Sequence, residues 1–376
     1  FLLTELDGGL YQISLGNILP QETVFLPITW AETLRWNGQT IRYRLPNLIG
    51  QHYGNPQTAG IEPANAPTYS GLAAYELSFK AELLGDLRQA AITSPSHLID
   101  TLTDTDATTI RLRQDEWLDR SLTLAMSLAT PPALVAWSAP DQNATAVLAC
   151  LYLPTIASEP KSHHLTLLID GSGSMSGTSI QQARGAAQEI IRQLDDQDTC
   201  SVAAFGSETT LLTPRPLLVG QHRAYLMNLC EQLDADLGGT EMLEALSSVM
   251  PVTPEGGDIL MVTDGQLFTS EHDNECFVSH GRRLFTVGVG HSTSEKVLRA
   301  LSEASGGFCE LVSPNENMAD HIVSHFRRIR TPRISPKMNW PELVQRQSVP
   351  SVIFAGDTAT LAARLNPGPI STLRVD

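Results

Sequence analysis

The sequence feature that most constrains the fold is an apolar run that stops abruptly at an aspartate. Residues 164–175 read HLTLLIDGSGSM, and every position from 165 to 169 except Thr166 is leucine or isoleucine. A run with no polar face predicts a strand that is buried on both sides, as in a parallel sheet. Open sheets of this kind bind ligands beyond the carboxyl ends of their strands. We therefore expect the residues from Asp170 onward to lie at a functional edge.

The segment after this run offers only oxygen atoms as ligands. Asp170 is followed at alternate positions by the hydroxyls of Ser172 and Ser174, and the intervening glycines allow tight backbone turns. A carboxylate with two hydroxyls suits a hard cation such as Mg²⁺ or Mn²⁺. The loop thus predicts part of a divalent-cation site.

Two further stretches fit the same site. A second apolar run, Ile259–Val262, leads into Thr263 and Asp264, which again places a carboxylate at the end of a strand. Between the two runs, residues 237–241 read LGGTE, a glycine turn that offers the hydroxyl of Thr240 just before a predicted helix. Together the three loops supply two carboxylates and three hydroxyls.

Other interpretations of the glycine-rich loop fit less well. A phosphate-binding P-loop needs a lysine after its last glycine, whereas Thr178 follows Gly177. A nucleophile elbow needs a serine midway between two glycines, where this loop has Met175. A dinucleotide-binding loop has a different glycine spacing, and Asp170 would repel the pyrophosphate. The serines could instead only cap the following helix, but three matching loops favour the cation site.

These residues resemble the metal-ion-dependent adhesion site of the von Willebrand factor A domain. That site is written Asp-x-Ser-x-Ser, followed by a loop threonine and by an aspartate after a later strand. The matching residues here are Asp170, Ser172, Ser174, Thr240 and Asp264. The resemblance implies that the hydroxyls bind the metal directly and that the aspartates act partly through water. It also implies a sixth coordination position for an acidic side chain of a partner.

The spacing at which apolar residues recur changes along the chain and divides it into segments of different type. Strands and helices alternate from residue 161 to about 330, which implies a parallel sheet with helices on both faces. The predicted strands are 164–170, 199–205, 258–264, 283–289 and 308–312, and the predicted helices are 178–194, 221–233, 241–249, 294–305 and 316–329. Before residue 160 and after residue 350, apolar residues alternate with period two, which predicts antiparallel β sandwiches.

The N-terminal segment resembles a second family. Residues 15–22 read LGNILPQE and are followed by Leu45-Pro46. They are similar to the closing portion of the vault protein inter-alpha-trypsin (VIT) domain, with leucine for its first valine and glutamine for a glycine. The order of segments resembles inter-alpha-trypsin inhibitor heavy chains and their bacterial relatives.

This resemblance implies a multi-domain protein. We expect the C-terminal part of a VIT-like β domain at residues 1–56 and a hybrid-like antiparallel β sandwich at 57–158 and 331–376. An α/β, Rossmann-like von Willebrand factor A domain is expected as an insert at 159–330.

Charge and composition exclude several partners. A net charge of −16 argues against nonspecific nucleic-acid binding and against acidic membrane surfaces, because both require clustered basic residues. No window approaches the roughly 20 consecutive apolar residues that span a bilayer. Phe1 is neither an initiator methionine nor the start of a signal peptide, so we expect the sequence to be a piece of a longer protein.

The cysteines and histidines indicate no further metal site. The five cysteines, at 150, 200, 230, 276 and 309, are widely separated and predict reduced, partly buried thiols. They favour a cytoplasmic compartment, with a secreted or surface location as the alternative. His321 and His325 have helical spacing, but the residues between them lack the glutamate of a metalloprotease helix, which disfavours zinc.

Two function classes remain open. In the favoured one, the chain is a non-enzymatic module in which one Mg²⁺, or Mn²⁺ or Ca²⁺ in its place, captures an aspartate or glutamate of another protein. In the alternative, the chain is a scaffold or regulatory subunit of a larger intracellular effector or ATPase-linked assembly, and the A domain is an internal dock. No catalytic residues are predicted, because Glu241 is the only nearby candidate base and is better placed to begin a helix.

Overall fold

A computed structural model describes two compact units of this 376-residue chain. The described residues are 2–5, 11–47, 61–62, 75–114, 116–130, 132–153, 162–264, 280–290, 295–313, 316–331, 333–334, 338–339, 344–348, 353–366 and 374–375. The first unit comprises Phe1–Glu32, Leu48–Leu72 and Lys161–Ile329, and the second comprises Thr33–Asn47, Ala73–Pro160 and Arg330–Asp376.

The regular elements are numbered in chain order. The strands before residue 160 are β1 Leu2–Glu5, β2 Tyr11–Ser14, β3 Trp36–Asn37, β4 Thr40–Leu45, β5 Glu76–Leu77, β6 Lys80–Leu83, β7 Ala91–Thr93, β8 Ile99–Thr103, β9 Thr108–Leu112, β10 Glu116–Trp117, β11 Leu122–Ser127, β12 Leu134–Asp141 and β13 Ala144–Tyr152. The later strands are β14 His164–Asp170, β15 Thr199–Phe205, β16 Thr209–Leu211, β17 Leu217–Leu218, β18 Asp258–Thr263, β19 Arg283–Val289, β20 Cys309–Val312, β21 Arg333–Ile334, β22 Met338–Asn339, β23 Val344–Ser348, β24 Ile353–Phe354, β25 Thr358–Leu365 and β26 Arg374–Val375. The α-helices are α1 Thr178–Gln193, α2 Val219–Glu231, α3 Met242–Val249, α4 Glu295–Ser305 and α5 Met318–Ile329.

The first unit is built on a seven-stranded sheet in the order β16-β15-β14-β18-β19-β20, with β17 also paired to β15. The central strands are parallel, and Leu165 of β14 lies opposite Cys200 of β15 and Asp258 of β18. The predicted parallel strands are therefore confirmed, with bounds that differ by at most one residue. The two short strands β16 and β17 run antiparallel to β15, which makes the sheet mixed.

Both faces of this sheet are covered. Leu168 on β14 and Met261 on β18 pack into an apolar cluster with residues of α3 and α4, such as Leu246. The intervening strand residues Leu167 and Leu260 point to the opposite face and are also fully buried. Among the helices, α1 packs against α2 and α5. This arrangement confirms the Rossmann-like α/β fold that the alternating pattern predicts.

The amphipathic pattern of α1 explains why it packs on the sheet. Its buried residues recur at three- and four-residue intervals, from Ile180 through Ala183, Ala187 and Ile190. This spacing forms one apolar stripe along the helix, and the polar residues between them face outward.

The second unit consists of antiparallel sheets. One has the order β3-β4-β11-β7, another β6-β9-β8, and a third β12-β13-β25-β23. Leu122 and Leu124 of β11 share an apolar cluster with Ile110 of β9, which packs the first two sheets together. Strand β25 pairs with β13 over its whole length, so the tail of the chain completes a sheet that begins before the α/β segment.

The structure also bears on two other predictions. The cysteines at 150, 200, 230 and 309 are free, and the last three are buried, while Cys276 lies outside the described residues. In the part of the chain that the structure describes, no helix has the length and apolar character needed to cross a membrane. The boundaries at 56/57, 158/159 and 330/331 stay predictions.

Candidate metal centre

The candidate site lies where the direction of the sheet connections reverses. The five parallel strands lie in the order β15-β14-β18-β19-β20, so the chain leaves β14 toward one edge and returns on its other side as β18. Asp170 is the last residue of β14, and Asp264 directly follows β18. In open α/β sheets such a switch point, at the carboxyl ends of the strands, is where ligands bind.

Backbone hydrogen bonds tie three loops together at this edge. The N–H of Gly171 donates to the carbonyl of Phe205 at 2.7 Å, and the N–H of Leu237 donates to the carbonyl of Gly171 at 2.9 Å. The N–H of Gly173 donates to the carbonyl of Gly238 at 3.0 Å. The loop that contains Thr240 is therefore held directly against the Asp-x-Ser-x-Ser loop.

Glycine is required where these loops approach most closely. A Cβ atom on Gly206 would lie 2.3 Å from the carbonyl oxygen of Leu237, and one on Gly171 would lie 2.8 Å from the carbonyl oxygen of Asp234. Gly238 has a φ of +79°, which disfavours other residues. The glycines thus allow the backbones of these loops to come into contact. The other side chains of the proposed site at this edge are short and polar.

The carboxylate of Asp170 is fixed from two sides. It is fully buried, its Oδ1 accepts the N–H of Ser172 at 2.9 Å, and its Oδ2 accepts the hydroxyl of Thr263 at 2.5 Å. The hydroxyls of Ser172 and Ser174 lie 3.0 Å apart. The first loop therefore presents two adjacent hydroxyl oxygens beside an oriented carboxylate.

The burial of Asp170 and the charge of Asp264 make Asp170 harder to ionise. Burial, and then the neighbouring charge of Asp264, raise the pKa of Asp170 to about 6, against the hydrogen bonds from Ser172 and Thr263 that favour its ionised form. Two carboxylates held close together with little water gain most from a bound cation.

The opposite edge of the same sheet shows how this chain neutralises a buried aspartate. Asp258, at the start of β18, is bound by both Nε and Nη2 of Arg283 at 2.6 and 2.5 Å, and Nε2 of His163 lies 2.7 Å from its Oδ2. Among the described residues, no lysine or arginine lies within ion-pair distance of Asp170. Asp170 is therefore buried without a basic partner among the described residues, unlike Asp258.

Thr240 contributes a hydroxyl that has no hydrogen-bond partner among the described residues. Its side chain is 3% exposed, and its Oγ1 has no hydrogen bond in the structure. The neighbouring backbone is firmly held, since the N–H of Glu241 donates to the carbonyl of Gly206 at 2.8 Å and that of Gly239 donates to Oγ of Ser207 at 2.7 Å. A buried hydroxyl without a partner is costly, so its place at this edge points to a ligand.

All five predicted ligands thus lie on loops at one edge of the sheet, and their donor chemistry fits a hard cation. The described residues contain no cluster of three or more histidine, cysteine, aspartate or glutamate side chains that could hold a metal. A cation here would therefore depend on the hydroxyls of Ser172, Ser174 and Thr240 as much as on the two carboxylates. Their role as ligands stays a prediction.

Two supporting residues were not identified from the sequence. Thr263 positions Asp170 through its hydroxyl, and Ser207 holds the backbone of Gly239. The threonine had a sequence signal, because it precedes Asp264 at the end of a buried strand. The serine follows Gly206 in a loop whose close approach to Leu237 is visible only in three dimensions.

The histidine pair of α5 faces a carboxylate. Nδ1 of His321 lies 2.9 Å from Oε1 of Glu310, and Nε2 of His325 lies 3.2 Å from the carbonyl of Phe308. Both rings are thus engaged by β20 and the residue before it, in keeping with the disfavoured zinc site.

Comparison with known proteins agrees with this geometry. Residues 163–311 match the model of the von Willebrand factor type A domain. A von Willebrand factor A domain-containing protein of Dictyostelium discoideum is 29% identical over 249 residues, which is 60% of this chain and 30% of that protein. Another protein of this kind from the same organism is 24% identical over 361 residues, which is 90% of this chain and 37% of that protein.

The chain therefore spans about a third of the length of these relatives. A solved structure of a von Willebrand factor type A protein from Catenulispora acidiphila is similar with 17% identity and a TM-score of 0.49, covering 65% of this chain and 68% of that one. The family match coincides with the sheet from β14 to β20 and with all five predicted ligands. Residues 163–311 of this chain therefore match the von Willebrand factor type A domain, and almost all of the α/β sheet lies within this match.

Proposed function

We propose that this chain is a non-enzymatic binding module whose A domain holds one divalent cation and through it binds a carboxylate of another protein. The proposed ligands are Asp170, Ser172, Ser174, Thr240 and Asp264. The observation that carries the proposal is the buried hydroxyl of Thr240, which has no protein partner and lies on the loop bonded to the Asp-x-Ser-x-Ser loop. The cation would supply an electrophilic coordination position for the partner's oxygen.

The spacing of the two serine hydroxyls is compatible with Mg²⁺ or Mn²⁺. Adjacent ligands of an octahedral Mg²⁺, each about 2.1 Å from the metal, lie about 3.0 Å apart. The oxygens of Ser172 and Ser174 are 3.0 Å apart, which is also the length of the hydrogen bond that joins them, so this spacing does not select against Ca²⁺.

The residues at this edge support binding and not catalysis. Hydrolysis at a metal would need a general base beside the open coordination position. Glu241 is exposed and immediately precedes α3, where its N–H is bonded to the carbonyl of Gly206. Among the other described residues at this edge, none forms a nucleophile and base pair.

The proposal extends to the rest of the chain. The VIT-like character of residues 1–56 and the similarity to inter-alpha-trypsin inhibitor heavy chains would make the antiparallel β unit a scaffold that carries the A domain. The sequence motif at 15–22 and the sheet shared by β13 and β25 support this arrangement.

Isothermal titration calorimetry with MgCl₂ tests the site directly. We expect one Mg²⁺ per chain, loss of binding in Asp170→Ala, and at least tenfold weaker binding in Ser174→Ala. Ser176→Ala is the matched control, because Ser176 lies in the same loop but its Oγ donates to the carbonyl of Gly173 at 2.7 Å. Equal Mg²⁺ affinity in the two serine variants, or no Mg²⁺ binding by the folded wild type, would overturn the proposal.

A further inference from the structure

Three described segments around the candidate metal centre are acidic and contain no lysine or arginine. The three segments 170–177, 205–208 and 234–241 include no lysine or arginine. Glu208, Asp236 and Glu241 are exposed on them. We call these three residues the acidic rim.

Each member of the rim is tied to the site by backbone contacts. The carbonyl of Glu208 accepts the N–H of Gly206 at 3.0 Å, and the carbonyl of Gly206 accepts the N–H of Glu241 at 2.8 Å. Asp236 precedes Leu237, whose N–H donates to Gly171 in the Asp-x-Ser-x-Ser loop. The backbone of the rim residues therefore adjoins the loops that contain Asp170 and Thr240.

The rim charges have no internal counterion in the described structure. Nearby Asp234 is paired with Nη2 of Arg184 at 3.0 Å, but no ion pair is formed by Glu208, Asp236 or Glu241 with any described residue. A ligand at this edge is indicated independently by the buried Oγ1 of Thr240, which has no partner.

The negative charge of the rim affects which partners can bind at this edge. A divalent cation balances the charges of Asp170 and Asp264, while the rim stays negative. A partner that brings only a carboxylate meets this negative surface, whereas basic residues beside the carboxylate would pair with the rim. Exposed ion pairs are individually weak, so two or three of them change affinity by about three- to tenfold.

We infer that the partner presents its metal-binding aspartate or glutamate in a segment flanked by lysine or arginine, and that the acidic rim forms ion pairs with those flanking residues. The inference rests on the proposed function and specifies the partner of that site. The cation selects for a carboxylate, and the rim favours carboxylates with basic surroundings by about three- to tenfold over those with neutral ones. The two requirements together describe a mixed-charge segment of another protein.

Three synthetic peptides separate these requirements. One has glutamate between two pairs of lysines, the second has glutamate between two pairs of serines, and the third has glutamine between two pairs of lysines. Binding to the full chain is measured by calorimetry in MgCl₂ and in EDTA. We expect the lysine-flanked glutamate peptide to bind in Mg²⁺ about three- to tenfold more tightly than the serine-flanked one, and the glutamine peptide to show no dependence on Mg²⁺.

A charge-matched pair of variants assigns the effect to the rim. Glu208→Gln with Glu241→Gln should abolish the preference for lysine flanks and leave Mg²⁺-dependent binding of the serine-flanked peptide in place. Glu231→Gln with Glu255→Gln removes the same charge from exposed positions at the end of α2 and in the turn before β18, and should retain the preference. Raising the ionic strength from about 0.05 to about 0.5 M should also erase it.

The outcomes distinguish the two proposals. Equal binding of both glutamate peptides in Mg²⁺, or a preference that persists in the Glu208 and Glu241 variant, overturns the role of the rim and leaves the cation site standing. Absence of Mg²⁺-dependent binding by either glutamate peptide overturns the proposed function and, with it, this inference.

Discussion

The hydroxyl of Thr263 donates a hydrogen bond of 2.5 Å to Oδ2 of Asp170, which joins the ends of β18 and β14. The two residues are 93 positions apart in the sequence and lie on neighbouring parallel strands. The other carboxylate oxygen accepts the N–H of Ser172. The orientation of the central carboxylate is therefore decided by a residue that is not itself a proposed ligand.

Replacing Thr263 by valine should weaken Mg²⁺ binding without removing a ligand. Loss of a group that orients a metal ligand typically lowers metal affinity by about tenfold or more. It also leaves a buried carboxylate oxygen less satisfied, at a cost of about 1–3 kcal/mol in the free energy of unfolding. Calorimetry and urea denaturation measure the two effects. Thr263→Ser keeps the hydroxyl and should restore both values; if it behaves like valine, the hydrogen bond is not the cause.

Thr240→Val should separate metal binding from stability. The Oγ1 of Thr240 has no hydrogen bond, so valine should leave the free energy of unfolding of the metal-free protein unchanged or slightly raised. Mg²⁺ affinity should fall at least tenfold, because one direct ligand is lost.

Thr166→Val is the control for this prediction. Thr166 is also buried, but its Oγ1 lies 3.0 Å from Nε2 of His164 and 2.7 Å from Oγ1 of Thr253. The same substitution there should lower the free energy of unfolding by about 1–3 kcal/mol and leave Mg²⁺ affinity intact. A comparable loss of stability in Thr240→Val would contradict the interpretation of its hydroxyl.

Gly206→Ala should disturb the site through the backbone. Its Cβ would lie 2.3 Å from the carbonyl oxygen of Leu237, so the loop that carries Thr240 must move. We expect a loss of about 1–3 kcal/mol in the free energy of unfolding and weaker Mg²⁺ binding.

Gly185→Ala should have the opposite effect on the stability of the protein. Gly185 is exposed in the middle of α1, and a Cβ there meets nothing within 4 Å. Alanine should therefore stabilise the protein by up to about 1 kcal/mol through helix propensity, with unchanged Mg²⁺ binding. Thermal denaturation of both variants checks the pair, and a neutral Gly206→Ala would show that the loops are not tightly joined.

His164 should contribute a loss of stability in mild acid, which opposes the gain expected from Asp170 with its pKa raised to about 6. Burial lowers the pKa of His164 to about 4, from an ordinary value of 6.5. The two ring nitrogens are hydrogen-bonded to the hydroxyls of Thr199 and Thr166. Between these values the unfolded chain binds the proton and the folded protein does not. The stabilisation is complete above pH 6.5 and is lost as the pH falls toward 4, by about 3 kcal/mol over the whole window.

Urea denaturation at several pH values tests this effect. His164→Gln should reduce the loss of stability between pH 6.5 and pH 4, whereas His222→Gln on α2 should leave it unchanged. An identical pH dependence in wild type and His164→Gln would exclude His164 as the titrating group.

The sequence by itself determined the α/β segment and the residues of its functional edge. Runs that are apolar on both faces, such as 165–169, are buried between two covered faces, and the polar residues that follow them then collect at one edge. This is why Asp170 and Asp264 could be placed together from local patterns alone. The short strands β16 and β17 could not be predicted, because three and two residues carry no readable alternation.

Only the tertiary structure decided how that edge is held and charged. The bond from Thr263 to Asp170, the approach of Gly206 to Leu237, and the burial of the Thr240 hydroxyl all join residues that are distant in the chain. The contrast between Asp258, which Arg283 neutralises, and Asp170 at the other end of the sheet depends likewise on which side chains meet across strands. Local sequence fixes residue type and period, whereas hydrogen bonding and burial depend on contacts that exist only after the strands have aligned.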